Sequence, residues 1–192
     1  TIDSAEFNSN NVIVEITAVD NAGNVRVTTN EMVSEHISID VTAPRIDISY
    51  DNNSADSGSF FKEDRTATVT VTERNFKPED VLLSITNTDG VIPEISGWTR
   101  INGTGNLDDT KWTATISYTA DGDYTFDIEY TDLADNKMSG VVYADGTVAE
   151  TKFTIDKTIP TIEVTYDNNS AMNGNYYKAY RTATVVITEH NF

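Results

Sequence analysis

The chain has 192 residues, no cysteine and a formal net charge of −18. That charge excludes a nucleic-acid grip, which needs a basic stripe, and the missing cysteines exclude disulfides and thiolate metal sites. No apolar run approaches the roughly 20 residues of a membrane span, and β-branched residues dominate in place of helix-forming runs, so an all-β fold is expected.

In chain order, Val12, Val14, Ile16 and Ala18 alternate with Ile13, Glu15 and Thr17, the period of a strand with one buried face. Residues 20–24 form a turn cluster, with a counterpart at 132–136. Residues 36–39, from His36 to Ile39, read as a closing strand. Ile46, Ile48 and Tyr50 then alternate, followed by Ala67, Val69 and Val71, and by an apolar run over 81–85. Asn87-Thr88-Asp89-Gly90 is a tight turn, since Asp-Gly tolerates positive φ. A short return over 92–95 contains Pro93 and suits only an edge, and 98–101 adds another short strand. Residues 102–110 are rich in Gly, Asn and Asp and read as a mobile tip. Trp112, Ala114, Ile116 and Tyr118 alternate again, then Tyr124, Phe126, Ile128 and Tyr130, and Phe153 and Ile155 close the series. Seven or eight short strands separated by turns is the pattern of a β-sandwich.

Residues 40–76 recur without a gap as residues 156–192, with about 21 of 37 positions identical at a period of about 116. Phe becomes Tyr, Ile becomes Val and Asp becomes Glu, so character is kept where identity is not. A solenoid unit is shorter than this, and the period is that of one independent domain. The reading is therefore a tandem array with one complete unit, 41–156, flanked by the C-terminal part of a preceding unit, 1–40, and the N-terminal part of a following one, 157–192. The chain reads as part of something longer, so absent targeting signals carry no weight. Each flank alone is expected to be frayed or to borrow pairing from a neighbouring chain, because a lone hairpin is marginal in water.

The stretch Asp121-Gly122-Asp123-Tyr124-Thr125-Phe126 invites comparison with the immunoglobulin fold. There a Tyr at the start of strand F closes a corner through its hydroxyl, two residues before a buried Cys. Tyr124 takes that place and Phe126 stands for the Cys as plain apolar packing; Val12 is the equivalent in the preceding segment. On these residues, together with the boundary Asp156-Lys157-Thr158-Ile159-Pro160, residues 65–76 and the turns at Asp20 and Asp132, the chain resembles the bacterial immunoglobulin-like repeats of large Gram-positive surface and secreted proteins. The resemblance implies an extracellular, array-forming β-sandwich used as spacer, stalk or adhesin, and it carries over no catalytic residue. Asp135 stands where the earlier turn has Gly23, a departure from the pattern.

The acidic turns suggest calcium, which takes six to eight oxygens from carboxylates, amides and carbonyls. The expected ligands are Asp132, Asp135 and Asn136, with the boundary Asp156 approaching them; Asp20, Asn24 and Asp40 form the earlier copy. The competing reading is that Asp and Asn simply build turns. The carboxylate pairs Asp108/Asp109 and Asp121/Asp123 lack the apolar cover that catalysis by paired carboxylates needs. His36 and His190 stand alone, without a nucleophile at a recognisable spacing. Lys62 and Lys178, each after paired aromatics, are candidates for an isopeptide link to Asn. Arg65 and Arg181 are expected to pair with Glu73 and Glu189. Trp112 reads as core and Trp98 as a ligand contact. The sequons at Asn52, Asn102 and Asn168 make equal sense as turns.

The expected function is a non-catalytic spacer or stalk whose partners are neighbouring repeats of the same chain, with no nucleic acid and no cofactor beyond calcium. The alternatives are an adhesin module that engages a host protein or glycan through loop tips, and an accessory region of a large secreted hydrolase.

Overall fold

The computed structural model describes residues 7–28, 37–55, 57–102 and 110–192. Among them there is no α-helix, and one short 3₁₀ turn, Pro78–Asp80, follows Lys77. The protein is all-β, built from several sheets.

Before residue 41 the strands are β1 (Ser9–Val12), β2 (Thr17–Val19), β3 (Val25–Val27) and β4 (Ile37–Ile39). β1 pairs antiparallel with β4, and β2 forms a hairpin with β3. The single strand expected across Val12 to Ala18 is split, because pairing switches from β4 to β3 between Val12 and Thr17. His36 of the expected closing strand lies outside the described residues.

Ten strands follow: β5 (Arg45–Tyr50), β6 (Phe60–Phe61), β7 (Arg65–Thr72), β8 (Leu82–Asn87), β9 (Glu94–Ile95), β10 (Thr99–Asn102), β11 (Lys111–Tyr118), β12 (Gly122–Glu129), β13 (Val141–Val142) and β14 (Lys152–Ile155). They make two sheets. One runs β10-β11-β7-β5-β13, with β9 also on β11; the other runs β6-β14-β12-β8. Residues 103–109, most of the expected tip and including Asp108 and Asp109, lie outside the described residues.

Alternation decides which faces meet. On β7 every second residue from Arg65 to Val71 is buried while Thr66, Thr68, Thr70 and Thr72 look outward. β5 and β11 keep the same phase, so Ile46, Ile48, Ile116 and Tyr118 join one inner layer. Tyr124, Phe126, Ile128, Phe153 and Ile155 supply the layer opposite, and all of these belong to one core cluster. Ring contacts stitch the layers: Phe153 meets Tyr118 edge-on at 4.9 Å between centroids and Tyr50 at 5.7 Å. Each such pair adds about 1 kcal/mol beyond area burial.

Beyond residue 156, β15 (Thr161–Tyr166) pairs with β16 (Ala183–Thr188). Thr161 faces Thr188 and Tyr166 faces Ala183, as Arg45 faces Thr72 and Tyr50 faces Ala67. The two antiparallel pairs thus keep one register, displaced by the sequence period.

Candidate functional site

Among the described residues, a dense polar constellation lies where the preceding segment meets the core region. β7 ends at Thr72 and delivers Glu73, Arg74 and Asn75 to that end of the sheets; Glu73 N–H donates to Thr110 O at 2.9 Å. β12 ends at Glu129, and the turn after it brings Asp132 and Asn136 to the same end. The connection after β4 brings Asp40. One carboxylate oxygen each from Asp40, Glu73 and Asp132 lies within 4.8 Å of the others, with Glu73 and Asp132 buried.

Like charges at that spacing cannot all be ionised without compensation. Two compensations are visible. Arg74, 2% exposed, holds its Nε 3.8 Å from Asp40, donates to Ile39 O at 3.1 Å and donates to Asn8 Oδ1 at 2.6 Å. Burial first, and the neighbouring Asp40 and Asp132 next among the raising causes, push the Glu73 carboxyl up to about 7. Asn10 and Asn75 close the contact with a reciprocal amide pair at 2.7 and 2.9 Å, and Asn136 donates to Asp40 O at 3.1 Å.

The turn is built by Asp132 itself. Its Oδ1 accepts the N–H groups of Ala134 and Asn136, and its Oδ2 accepts the Asn136 side chain at 2.8 Å. Asp20 repeats this on Ala22 and Asn24, which holds its carboxyl below the ordinary aspartate value. Asp135 has φ 69° where Gly23 has φ 85°, so the substitution keeps the left-handed backbone. Asp135 is exposed.

Of the expected calcium ligands, then, the fold gathers Asp132 and Asn136 and leaves Asp156 away. The boundary residue that reaches them is Asp40, and the extra carboxylate is Glu73. Asp156 follows β14, whose Ile155 pairs with Gly122 at the start of β12, while Asp132 follows the other end of β12. Eight strand residues separate these ends, about 26 Å at roughly 3.3 Å each. The three carboxylates suit a hard cation, but Asp132 is already engaged by the turn and Arg74 already sits beside Asp40.

At the opposite end Asp156 organises a second junction. Its Oδ1 accepts Thr158 N–H at 3.1 Å, as Asp40 Oδ1 accepts Thr42 N–H at 3.0 Å, and its Oδ2 accepts the Asn191 amide at 3.3 Å. Lys157 donates to Asp64 at 2.8 Å and to Thr119 O, and the Asp64 hydrogen bond raises the lysine above its usual value. Thr158 donates to Asp121 at 2.7 Å, Thr154 donates to Asp123 at 2.6 Å, and His190 Nε2 lies 3.9 Å from Asp123.

Other expected sites land differently. Trp98, expected as a ligand contact, is half-buried and packs edge-on against Phe76 at 5.1 Å, with Trp112 on the same ring at 5.6 Å. Arg65 does not pair with Glu73, because the length of β7 stands between them. Its guanidinium, 4% exposed, lies 3.8 Å from the ring centroids of Tyr50 and Phe61 and 4.5 Å from that of Phe153, with Nε donating to Asn52 O. Arg181 repeats this over Tyr166 and Tyr177 at 3.8 and 4.0 Å. The paired aromatics before each Lys were the signal for this cage. Lys62 and Lys178 are exposed, unlike the water-excluded setting an isopeptide link needs. Tyr124 donates its hydroxyl to Ala120 O, four residues upstream, at 2.9 Å, and Phe126 is buried. Compared with protein-family models, with curated proteins and with solved structures, the chain matches none.

Proposed function

We propose that this chain is a non-catalytic run of immunoglobulin-like β-sandwich repeats that serves as a spacer in a large extracellular bacterial protein. The observation that carries the reading is the first junction, where Arg74, Asn75 and Asn136 lock onto Ile39, Asn8, Asn10 and Asp40 of the preceding segment. A charged side chain buried across a boundary fixes the angle between the parts it joins, which is what a stalk requires. Three further observations support it: the register shared by β5–β7 and β15–β16, the Tyr124 corner bond, and the paired Asp–Thr turns at Asp40 and Asp156.

Of the carboxylate pairs considered for catalysis, Asp121 and Asp123 accept threonine hydroxyls near the second junction. Of the residues that carry the adhesin alternative, the 102–110 loop with Trp98, Trp98 packs on Phe76 and residues 103–109 lie outside the described residues. The calcium expectation keeps one supporting feature, the convergence of Asp40, Glu73 and Asp132. Melting with calcium against a chelator reads it directly, and overlapping curves end it.

The test of the spacer reading is a binding screen of the full chain against glycans and extracellular host proteins, alongside small-angle scattering. The reading predicts no ligand and an elongated particle. A saturable ligand, displaced by changes at one loop cluster, would favour the adhesin alternative and overturn it.

A further inference from the structure

β6 and β13, two residues each, lie beside the first and last strands of the core region. β13 pairs with β5, Val141 on Ile46 and Val142 on Asp47, and β6 pairs with β14, Phe60 on Thr154 and Phe61 on Ile155. β5 therefore lies between β7 and β13, and β14 between β12 and β6. Neither the strand by which the chain enters the region nor the one by which it leaves is a sheet edge. An edge strand is held on one side; each of these is held on both.

Backbone bonds fix the two short strands in place. Thr154 N–H donates to Ser59 O and Asp156 N–H to Phe61 O, both at 2.9 Å, and the turn after β13 returns Ala149 N–H to Val141 O at 3.1 Å. Tyr50, the last residue of β5, donates its hydroxyl to Glu150 O at 3.3 Å, just ahead of β14. The Arg65 guanidinium lies against a ring from each of β5, β6 and β14.

Strand direction gives this bracing a mechanical sense. β5 begins at the first junction, where Arg45 pairs with Thr72 at the end of β7. β14 ends at the second, where Ile155 pairs with Gly122 and Asp156 meets Asn191. A pull on the flanking segments draws β5 backward and β14 forward, each along its own axis. The ladder bonds of antiparallel strands stand perpendicular to that axis. A sliding strand strains its whole ladder together, whereas a strand pulled sideways loses it one pair at a time.

We propose that the core region resists tension along the chain, with β13 and β6 bracing the two strands that take the load. The inference rests on the spacer reading for the source of the tension and on the topology for the resistance.

Single-molecule pulling on the full chain, with cysteine handles in its cysteine-free background, tests this. Val41→Cys with Thr119→Cys loads β5 along its axis, because β11 ends at Tyr118, level with Arg65 at the start of β7. Val41→Cys with Lys111→Cys uses the other end of β11, in the row Arg45–Thr72–Lys111, and pulls β5 sideways. Val41→Cys with Ile159→Cys loads β5 and β14 together. Melting of each pair confirms that the core region is folded. Forced unfolding is governed by the unfolding rate, so the axial force should exceed the crosswise force at least about twofold. The third pair should also stand above the crosswise value. Val142→Pro, which takes an N–H from β13, should lower the axial force and leave the crosswise force unchanged. Equal axial and crosswise forces overturn the proposal, as does yielding of the third pair at the crosswise value. An axial force untouched by Val142→Pro overturns the bracing role of β13. Each of these results leaves the spacer reading standing, because a spacer need not carry load. A ligand found in the binding screen overturns that reading without changing the forces.

Discussion

Arg74 and His190 stand at the same point of two copies of one motif, yet their surroundings are opposite. Arg74 is buried and reaches the Ile39 main chain, the Asn8 side chain and the Asp40 carboxylate at once. The His190 side chain is 47% exposed and approaches a single carboxylate at 3.9 Å. The difference teaches what makes a junction stiff. A planar guanidinium with donors on several edges spans three partners at once, while an imidazole reaches one. The Asp–Thr turn is common to both junctions, so it positions the boundary in either case; the cation decides how firmly the boundary is held.

Substitution of the two cations is the strongest way to break this comparison. Arg74→Ala leaves three crowded carboxylates with their charge partner gone, and should cost about 3–5 kcal/mol, lowering Tm by roughly 10 °C. His190→Ala should change stability by no more than about 0.5 kcal/mol. Calorimetry on both variants checks the contrast, and equal losses would remove the distinction between the junctions.

The two aromatic cages give a second contrast. Arg65→Met removes a buried cation from three rings and a main-chain hydrogen bond, with an expected loss of about 2 kcal/mol. Arg181→Met acts on a half-open cage, and about 0.5 kcal/mol is expected from chemical denaturation. A similar loss at both sites would mean that the third ring contributes nothing.

Glu73 sharpens the first junction by its titration. Its folded-state value, about 7, lies above the ordinary 4.5, so the folded state holds the proton more tightly. Its contribution to stability is therefore full below pH 4.5 and is lost as pH rises through 7. Relative to Glu73→Gln, the wild type should lose on the order of 2 kcal/mol between pH 5 and pH 8. The measurement is Tm against pH for both proteins; parallel curves would show that Glu73 does not titrate in that window.

Tyr124 gives a smaller effect than Arg74, Arg65 or Glu73. Its place in the preceding segment is taken by Val12, which is also buried but has no hydroxyl to close a corner. Tyr124→Phe should cost about 1 kcal/mol through loss of the bond to Ala120 O, and an unchanged denaturation midpoint would reject the corner.

The long strands β5, β7, β11 and β12 were legible because their inward and outward residues alternate over six or eight positions. β6 and β13 were not. Each is two residues long and joins its sheet through a parallel partner far along the chain, Ile155 for Phe61 and Ile46 for Val141. The site shows the same limit. Asp132 and Asn136 were readable as one turn, because their bonds are local. Choosing Asp40 over Asp156 as their neighbour required knowing which end of β12 each boundary meets, and short-range composition carries no such information. Arg65 was misjudged for a related reason: an arginine at one end of an eight-residue strand cannot reach an acid at the other, however close they stand in sequence terms. Trp98 sits among loop residues, yet Phe76, from another element, gives it a packing partner.

The cysteine-free chain allows labels to be placed at will, and the distance across each junction tests the account most directly. Spin labels at Val19→Cys and Thr115→Cys span the first junction, and labels at Thr115→Cys and Glu163→Cys span the second. Pulsed dipolar spectroscopy should give one narrow distance distribution for the first pair and a broader one for the second. A broad distribution across the first junction would contradict the claim that Arg74 and its acids hold the segments at a fixed angle.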